Sequence, residues 1–262
     1  MKITFYKYQG TGNDFVILDN RDGAYNQLTT DQVNLLCNRK FGIGADGLML
    51  LNAHPAYDFE MVYFNADGRE GSMCGNGGRC LVKFAWHMGI TVPEYRFIAT
   101  DGPHEAKIDR EGIISLKMKD VDSITVNGSH AILNTGSPHY VQFVQDIRNL
   151  DVVARGRAVR YSDVYREKGI NVNFVEKLDN DSIFVRTYER GVEDETLSCG
   201  TGVTAAAIAL LPNPDGRNVV TVETPGGKLS VQFTAANGGK TCSEIWLTGP
   251  AELVYKGEIT LN

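Results

Sequence analysis

Two cysteines in this chain open matching glycine-rich stretches. Cys74 lies in MCGNGGRC, followed by Gly75, Gly77 and Gly78, and Cys199 lies in LSCGTGVTAAAIALL, followed by Gly200 and Gly202. An apolar run succeeds each, CLVKFAWHMG and VTAAAIALLP, so each cysteine is expected at the start of a helix. A thiol is a weak base until something favours its thiolate, and the positive end of a helix, with its unpaired backbone N–H groups, does so. The glycines let the backbone turn sharply and come close to a ligand, and the same N–H groups can grip a carboxylate. Two such thiols at one bound carbon would remove a proton from one face and deliver a proton to the other, which is stereoinversion by two bases. Cys37, Cys80 and Cys242 read instead as small buried apolar residues. With 5 cysteines and no CxxC pair, a disulfide framework and a zinc site are both poor readings. A regulatory disulfide between Cys74 and Cys199 is the redox alternative.

Other polar residues gather around these two motifs in sequence. GTGNDF, with Asn13 and Asp14, lacks the full glycine spacing of a phosphate loop and runs into the strand-like FVILDN. Asn13 therefore reads as a turn residue or a substrate hydrogen bonder. Asn65 and Glu70 lie on the approach to Cys74, and Glu189 and Arg190 on the approach to Cys199. Arg190 suits a bidentate grip on a carboxylate, and Glu189 suits an ammonium or the adjustment of a neighbouring thiol; surface salt bridging is the plainer role for both. His139, in GSPHYV, is either structural or a pKa-setting neighbour.

The elements that must position these residues are mostly strands. ITFYKY, FVILDN, DFEMVYF, YRFIAT, HYVQFV, SIFVRTY, VVTVET and EIWLTG are short runs rich in β-branched and aromatic residues. TTDQVNLLCNRKFG, ending at Gly42, and YSDVYREKG, ending at Gly169, carry helix start and stop signals. The order of features recurs: Asn13 with Ser137, Asn65 with Glu189, Cys74 with Cys199 and the helix at Gly42 with that at Gly169 share one offset of about 125 residues. The expected fold is α+β: two pseudo-symmetric domains, each a curved, mostly antiparallel sheet wrapped around a central buried helix. Residues 1–117 with 250–262 would carry Cys74 and residues 118–249 would carry Cys199, with the two cysteine loops facing a cleft suited to a small molecule.

Lys and Arg number 26 against 32 Asp and Glu, a net charge of −6 without long runs of one sign, which speaks against nucleic acid or an anionic membrane as the main partner. No apolar run reaches the length of a membrane span and MKITFYKYQG lacks a signal-peptide core, so a cytoplasmic protein is expected.

Taken together, GTGNDFV, GIGADGL, NADGREGSMCGNGGRC, SPH, GINVNF and ERGVEDETLSCGTG resemble, in order and over essentially the whole chain, the diaminopimelate epimerase family. The resemblance implies a cofactor-independent interconversion of LL- and meso-2,6-diaminopimelate in lysine and peptidoglycan precursor synthesis. It also implies Cys74 and Cys199 as catalytic base and acid, and His139 with Glu189 as the pair that tunes them. Substrate-binding positions are matched by Asn13, Asn65, Gly75, Asn76, Asn171, Glu189, Arg190, Gly200 and Thr201. Gly47 and Ser137 depart from well-known members, which carry glutamine and asparagine there; Ser137 keeps a hydroxyl in a binding position. The family uses neither metal nor pyridoxal phosphate and often forms homodimers, and no stretch of the sequence marks a dimer face. Proline and hydroxyproline racemases share fold and paired cysteines but typically follow the first with Gly-His, where this chain has Gly75 and Asn76. A racemase of that type and a non-catalytic, redox-sensing thiol protein are the rival readings.

Overall fold

A computed structural model describes residues 1–71 and 73–261. The chain divides into two compact units, one of Met1–Leu116 with the segment from Gly249 onward, the other of Lys117–Thr248.

The first unit contains β1 (Lys2–Gly10), β2 (Asn13–Asp19), α1 (Thr30–Cys37), β3 (Gly47–Asn52), β4 (Phe59–Asn65), α2 (Gly75–His87), β5 (Glu94–Ala99), β6 (Gly102–Ile108) and β7 (Ile114–Lys117), and is completed by the C-terminal strand Glu252–Thr260. That last strand pairs antiparallel with β1, and β1 with β2. The ladder continues through β2–β3 parallel, β3–β4 antiparallel, β4–β5 parallel, and β5–β6 and β6–β7 antiparallel. Residues on β2 show how the sheet serves two layers. Val16 and Leu18 enter a cluster with Val33 and Leu36 of α1, while Phe15, one residue out of phase, reaches Gly77 of α2 on the opposite face. α2 is buried from Gly75 through Val82 and packs against β1, β2, β3, β4, β6 and the C-terminal strand.

The second unit contains β8 (Ile124–Asn127), β9 (His130–Asn134), β10 (Pro138–Phe143), α3 (Val152–Arg160), β11 (Asn171–Lys177), β12 (Ser182–Glu189), β13 (Asp194–Thr196), α4 (Gly200–Leu210), β14 (Gly216–Thr224), β15 (Gly227–Ala236) and β16 (Thr241–Gly249). Its ladder runs β8–β9 and β9–β10 antiparallel, β10–β11 parallel, β11–β12 antiparallel, β12–β14 parallel, β14–β15 and β15–β16 antiparallel. This is the strand order of the first unit, step for step. α4 takes the place of α2, packed against β9, β10, β11, β12, β14 and β15, and α3 takes the place of α1, covering Tyr140, Val172, Phe174 and Tyr188 on the outer face. The α+β reading and the internal repeat both stand. Among the described residues no helix is long and apolar enough to cross a membrane.

Both outer helices differ from the sequence expectation. α1 starts at a capping box between Thr29 and Gln32 but ends at Cys37 instead of Gly42, because Ile43, Gly44 and Ala45 fold back to donate to the carbonyls of Leu36 and Cys37. YSDVYREKG is a string of turns, closed by Tyr165 and Arg166 N–H groups on Ser162 and by Gly169 on Tyr165. The helix lies upstream, where the Asp151 carboxylate caps it by accepting from Ala154 N at 2.9 Å. Gly156 obscured it in the sequence, since glycine is a poor helix interior residue. A Cβ there would come within 2.3 Å of the Tyr188 side chain, so the glycine is what lets α3 lie close on β12.

Candidate active site

Each cysteine of the pair is the N-cap of its unit's central helix. Cys74, half-buried, has φ −95° and ψ 129° ahead of α2, and Cys199, buried, has φ −113° and ψ 113° ahead of α4. Neither thiol is spent on capping, since no cap hydrogen bond uses either side chain. The chain enters each helix extended, and the cysteine carbonyl takes the first helical bond, from Gly78 N at 2.7 Å and from Val203 N at 2.8 Å. The thiols therefore stand beside helix-start N–H groups that have no partner within the helix.

Around Cys74 the polar groups form a chain. Its Sγ lies 3.5 Å from Asn13 Oδ1, which also accepts from Asn76 Nδ2 at 3.4 Å. Asn13 presents this oxygen because its Nδ2 donates to the Asp46 carboxylate at 2.7 Å. Asp46 is held by Arg39, which pairs with Asp14 as well. Burial opposes ionisation of Asp14, but hydrogen bonds from Arg39 and Lys7, with their charges, outweigh it and hold the carboxyl below the usual carboxylate range. Behind the loop lies Arg79, fully buried, donating to Asn76 Oδ1 at 3.0 Å, Thr11 Oγ1 at 3.2 Å, Gly75 O at 3.4 Å and Pro250 O at 3.4 Å. Asp46 and Arg79 were not singled out from sequence. Arg79 carried a signal, a charged residue between the glycines and the apolar run that begins at Cys80; Asp46 lies in the GIGADGL stretch, where its link to Asn13 depends on a tertiary contact that the sequence does not show.

Around Cys199 the strands supply the partners. Its Sγ is 3.5 Å from Thr201 Oγ1, and Thr135 ties the Thr201 carbonyl to the β9–β10 turn at 2.8 Å. Asn171 donates to Ser137 Oγ at 2.8 Å and to Pro138 O at 3.2 Å, and its Oδ1 accepts from Arg190 N at 2.9 Å. The Arg190 guanidinium reaches Ser137 Oγ at 3.4 Å and Lys168 O at 3.0 Å. Glu189 accepts from Thr196 Oγ1 at 2.9 Å, within its own hairpin. His139, on the α4 side of β10, is fully buried and bonds Asn173 through Nδ1 at 3.0 Å. Burial pushes its pKa down to about 3, and the positive charge of Arg190 acts in the same direction.

The structure thus joins Asn13 and Asn76 to Cys74, and Ser137, Asn171 and Arg190 to one another. Gly75 and Gly200 are the first residues of their helices. Asn65 ends β4, its amide 3.5 Å from Arg69 O, and pairs in register with Gly47. At Gly47 a Cβ would meet the Tyr63 ring at 2.5 Å and Phe64 O at 2.6 Å, so the tyrosine fills the space a longer side chain would need. The other three cysteines are packing residues: burial pushes Cys37 up to about 12, Cys242 up to about 11, and Cys80 further still. Among the described residues no group of three or more His, Cys, Asp or Glu side chains is placed to hold a metal ion.

Comparison with known proteins separates fold from family. The solved structure of a Bacillus anthracis phenazine biosynthesis protein of the PhzF family superposes with a TM-score of 0.74 at 15% identity, covering 100% of both chains. A probable proline racemase from Agrobacterium radiobacter, solved with bound carbonate, gives 0.66 at 16% identity, covering 99% of this chain and 93% of the other. These likenesses establish the fold. In sequence, the diaminopimelate epimerase of Flavobacterium psychrophilum is 50% identical over 97% of this chain and 99% of its own, and that of Chlorobaculum tepidum is 43% identical over 96% and 99%. The family profile of diaminopimelate epimerase matches residues 5–124 and 131–254, both cysteine motifs included, and the chain belongs to the diaminopimelate epimerase family.

Proposed function

We propose that this protein interconverts LL- and meso-2,6-diaminopimelate by two-base proton transfer between Cys74 and Cys199 at the α-carbon. The observation that carries the reading is the repeated placement of an uncapped thiol at the N-terminus of each unit's buried helix. One cysteine, as thiolate, takes the α-proton, and the other, as thiol, returns a proton to the opposite face; the roles exchange with direction. The developing negative charge spreads into the α-carboxylate, where helix-start N–H groups are suited to receive it. Asn13, Asn65, Asn76, Ser137, Asn171, Arg190 and Thr201, with the backbones of Gly75 and Gly200, bind the two amino-acid ends. His139 and Glu189 tune the thiols. This chemistry needs no cofactor. Its product serves lysine and peptidoglycan precursor synthesis, placing the protein in the cytoplasm, with a homodimer as its working form.

The test is incubation of the reduced protein with LL-diaminopimelate in deuterated water, with no pyridoxal phosphate or metal added, following stereochemistry and α-deuterium together. Meso product carrying deuterium at the inverted carbon is expected. No inversion and no deuterium with this substrate, alongside inversion of proline or hydroxyproline, would assign the protein to the racemase type. Silence with all of them would leave a thiol protein without this chemistry.

A further inference from the structure

We propose that Asn173 is a positioning residue that locks His139 in the Nε2–H tautomer, so that its imidazole serves the site as a neutral hydrogen-bond donor. The proposal deepens the reading of His139 as a tuning group and rests on it only for the use to which the donor is put.

The assignment follows from groups whose roles admit no choice. Asn173 Nδ2 lies 3.1 Å from the carbonyl oxygen of Tyr140, and a carbonyl can only accept. That contact fixes which end of the amide is the NH2, and Oδ1 is then the atom that accepts from Thr187 Oγ1 at 3.0 Å. The second hydrogen of Nδ2 points at His139 Nδ1, 3.0 Å away. A ring nitrogen that accepts a hydrogen bond carries no proton, so a neutral His139 must hold its proton on Nε2. Flipping the amide to suit an Nδ1–H would set Oδ1 against the Tyr140 carbonyl. All four residues are buried, and the backbone of α4 closes over the amide: a Cβ on Gly202 would stand 2.3 Å from Asn173 Oδ1. The amide is boxed in.

The imidazolium is excluded by the same geometry, because it would direct Nδ1–H at an N–H group. Burial and the Arg190 charge oppose it as well. What remains is the Nε2–H, buried and without a hydrogen-bond partner among the described residues. A buried donor left unmade is costly, and proteins leave few of them except where a ligand or reacting group supplies the acceptor. A thiolate or a substrate carboxylate is an acceptor of the right kind. A neutral donor lowers the pKa of such a thiol without becoming a competing acid, whereas an Nδ1–H tautomer would present a bare Nε2 and raise it.

Nitrogen-15 labelling of histidine, with His139 identified by comparison with His139→Gln, reads the proton's location from two-bond proton–nitrogen correlations, with no substrate present. The expected result at neutral pH is a protonated Nε2 and a bare Nδ1 in the wild-type protein. In Asn173→Asp the carboxylate accepts in place of the amide, and the pattern should shift to a protonated Nδ1. A wild-type Nδ1–H tautomer, a wild-type imidazolium, or a pattern unchanged in folded Asn173→Asp would each overturn the proposal; if that variant fails to fold, the wild-type spectrum alone decides. Because no turnover is involved, loss of the epimerase reading and loss of this one are separately visible.

Discussion

Arg79 is a full positive charge, buried to zero exposure, whose described hydrogen-bond partners are all neutral oxygens. Burial lowers its pKa, and among its neighbours Cys80 and then Cys74 favour its charged form. The attraction is mutual, so Arg79 favours the Cys74 thiolate, and through Asn76 it also orients the amide that meets Asn13. Arg79→Met should shift the pH dependence of Cys74 alkylation by iodoacetamide upward, while Arg79→Lys retains part of the effect; equal profiles in all three proteins would remove Arg79 from the site's electrostatics. At the same scale, Cys74→Ala and Cys199→Ala should each abolish net epimerisation while circular dichroism and melting stay near wild type, and turnover close to normal in either variant would refute two-base transfer. The cysteines and their asparagine neighbours were legible because glycine and cysteine recur with the same local grammar. Asp46, Arg79 and Asn173 were not, since each acts through tertiary hydrogen bonds to residues distant in sequence.

The two central helices are alike in outline and different in tolerance. Gly77 and Gly202 each stand three residues after the cysteine. A Cβ at Gly77 would meet the flexible end of Met49 at 3.2 Å, whereas one at Gly202 would strike Asn173 Oδ1 at 2.3 Å. Gly77→Ala should therefore change stability by less than about 1 kcal/mol, while Gly202→Ala costs about 1–3 kcal/mol and lowers turnover, as read by urea unfolding and kcat. Equal losses in the two variants would show that the helices are gripped alike. Most strands were readable from β-branched runs, and the repeat from its constant offset. The outer helix α3 was not, because Gly156 masked its interior and Ser162 and Asp163 offered a false start within a run of turns.

For the molecule as a whole, the buried groups set the acid side of stability. An unfolded chain takes a second ring proton on histidine below about pH 6.5, while folded His139 stays neutral down to about 3, so the unfolded state binds more protons across that window and stability falls as pH falls. The slope from this group is on the order of 1 kcal/mol per pH unit. Asp14, with its folded pKa depressed, contributes stability that is present above the ordinary carboxylate range and lost as pH drops through its folded value. The fold should thus weaken first through His139 and later through Asp14. Urea midpoints between pH 4 and 7 should decline less steeply in His139→Gln than in the wild type, and parallel slopes would show that the ring titrates normally.

The strand Glu252–Thr260, which pairs with β1, is made by the ribosome after every residue of the second unit. The Cys199 unit therefore has its whole sheet in hand while the Cys74 unit still lacks an edge, and Pro250, whose carbonyl receives Arg79, arrives with that last strand. One half of the thiol pair thus has all its supporting residues before the other, so a nascent chain arrested before Pro250 would carry one finished cysteine and one without its full support.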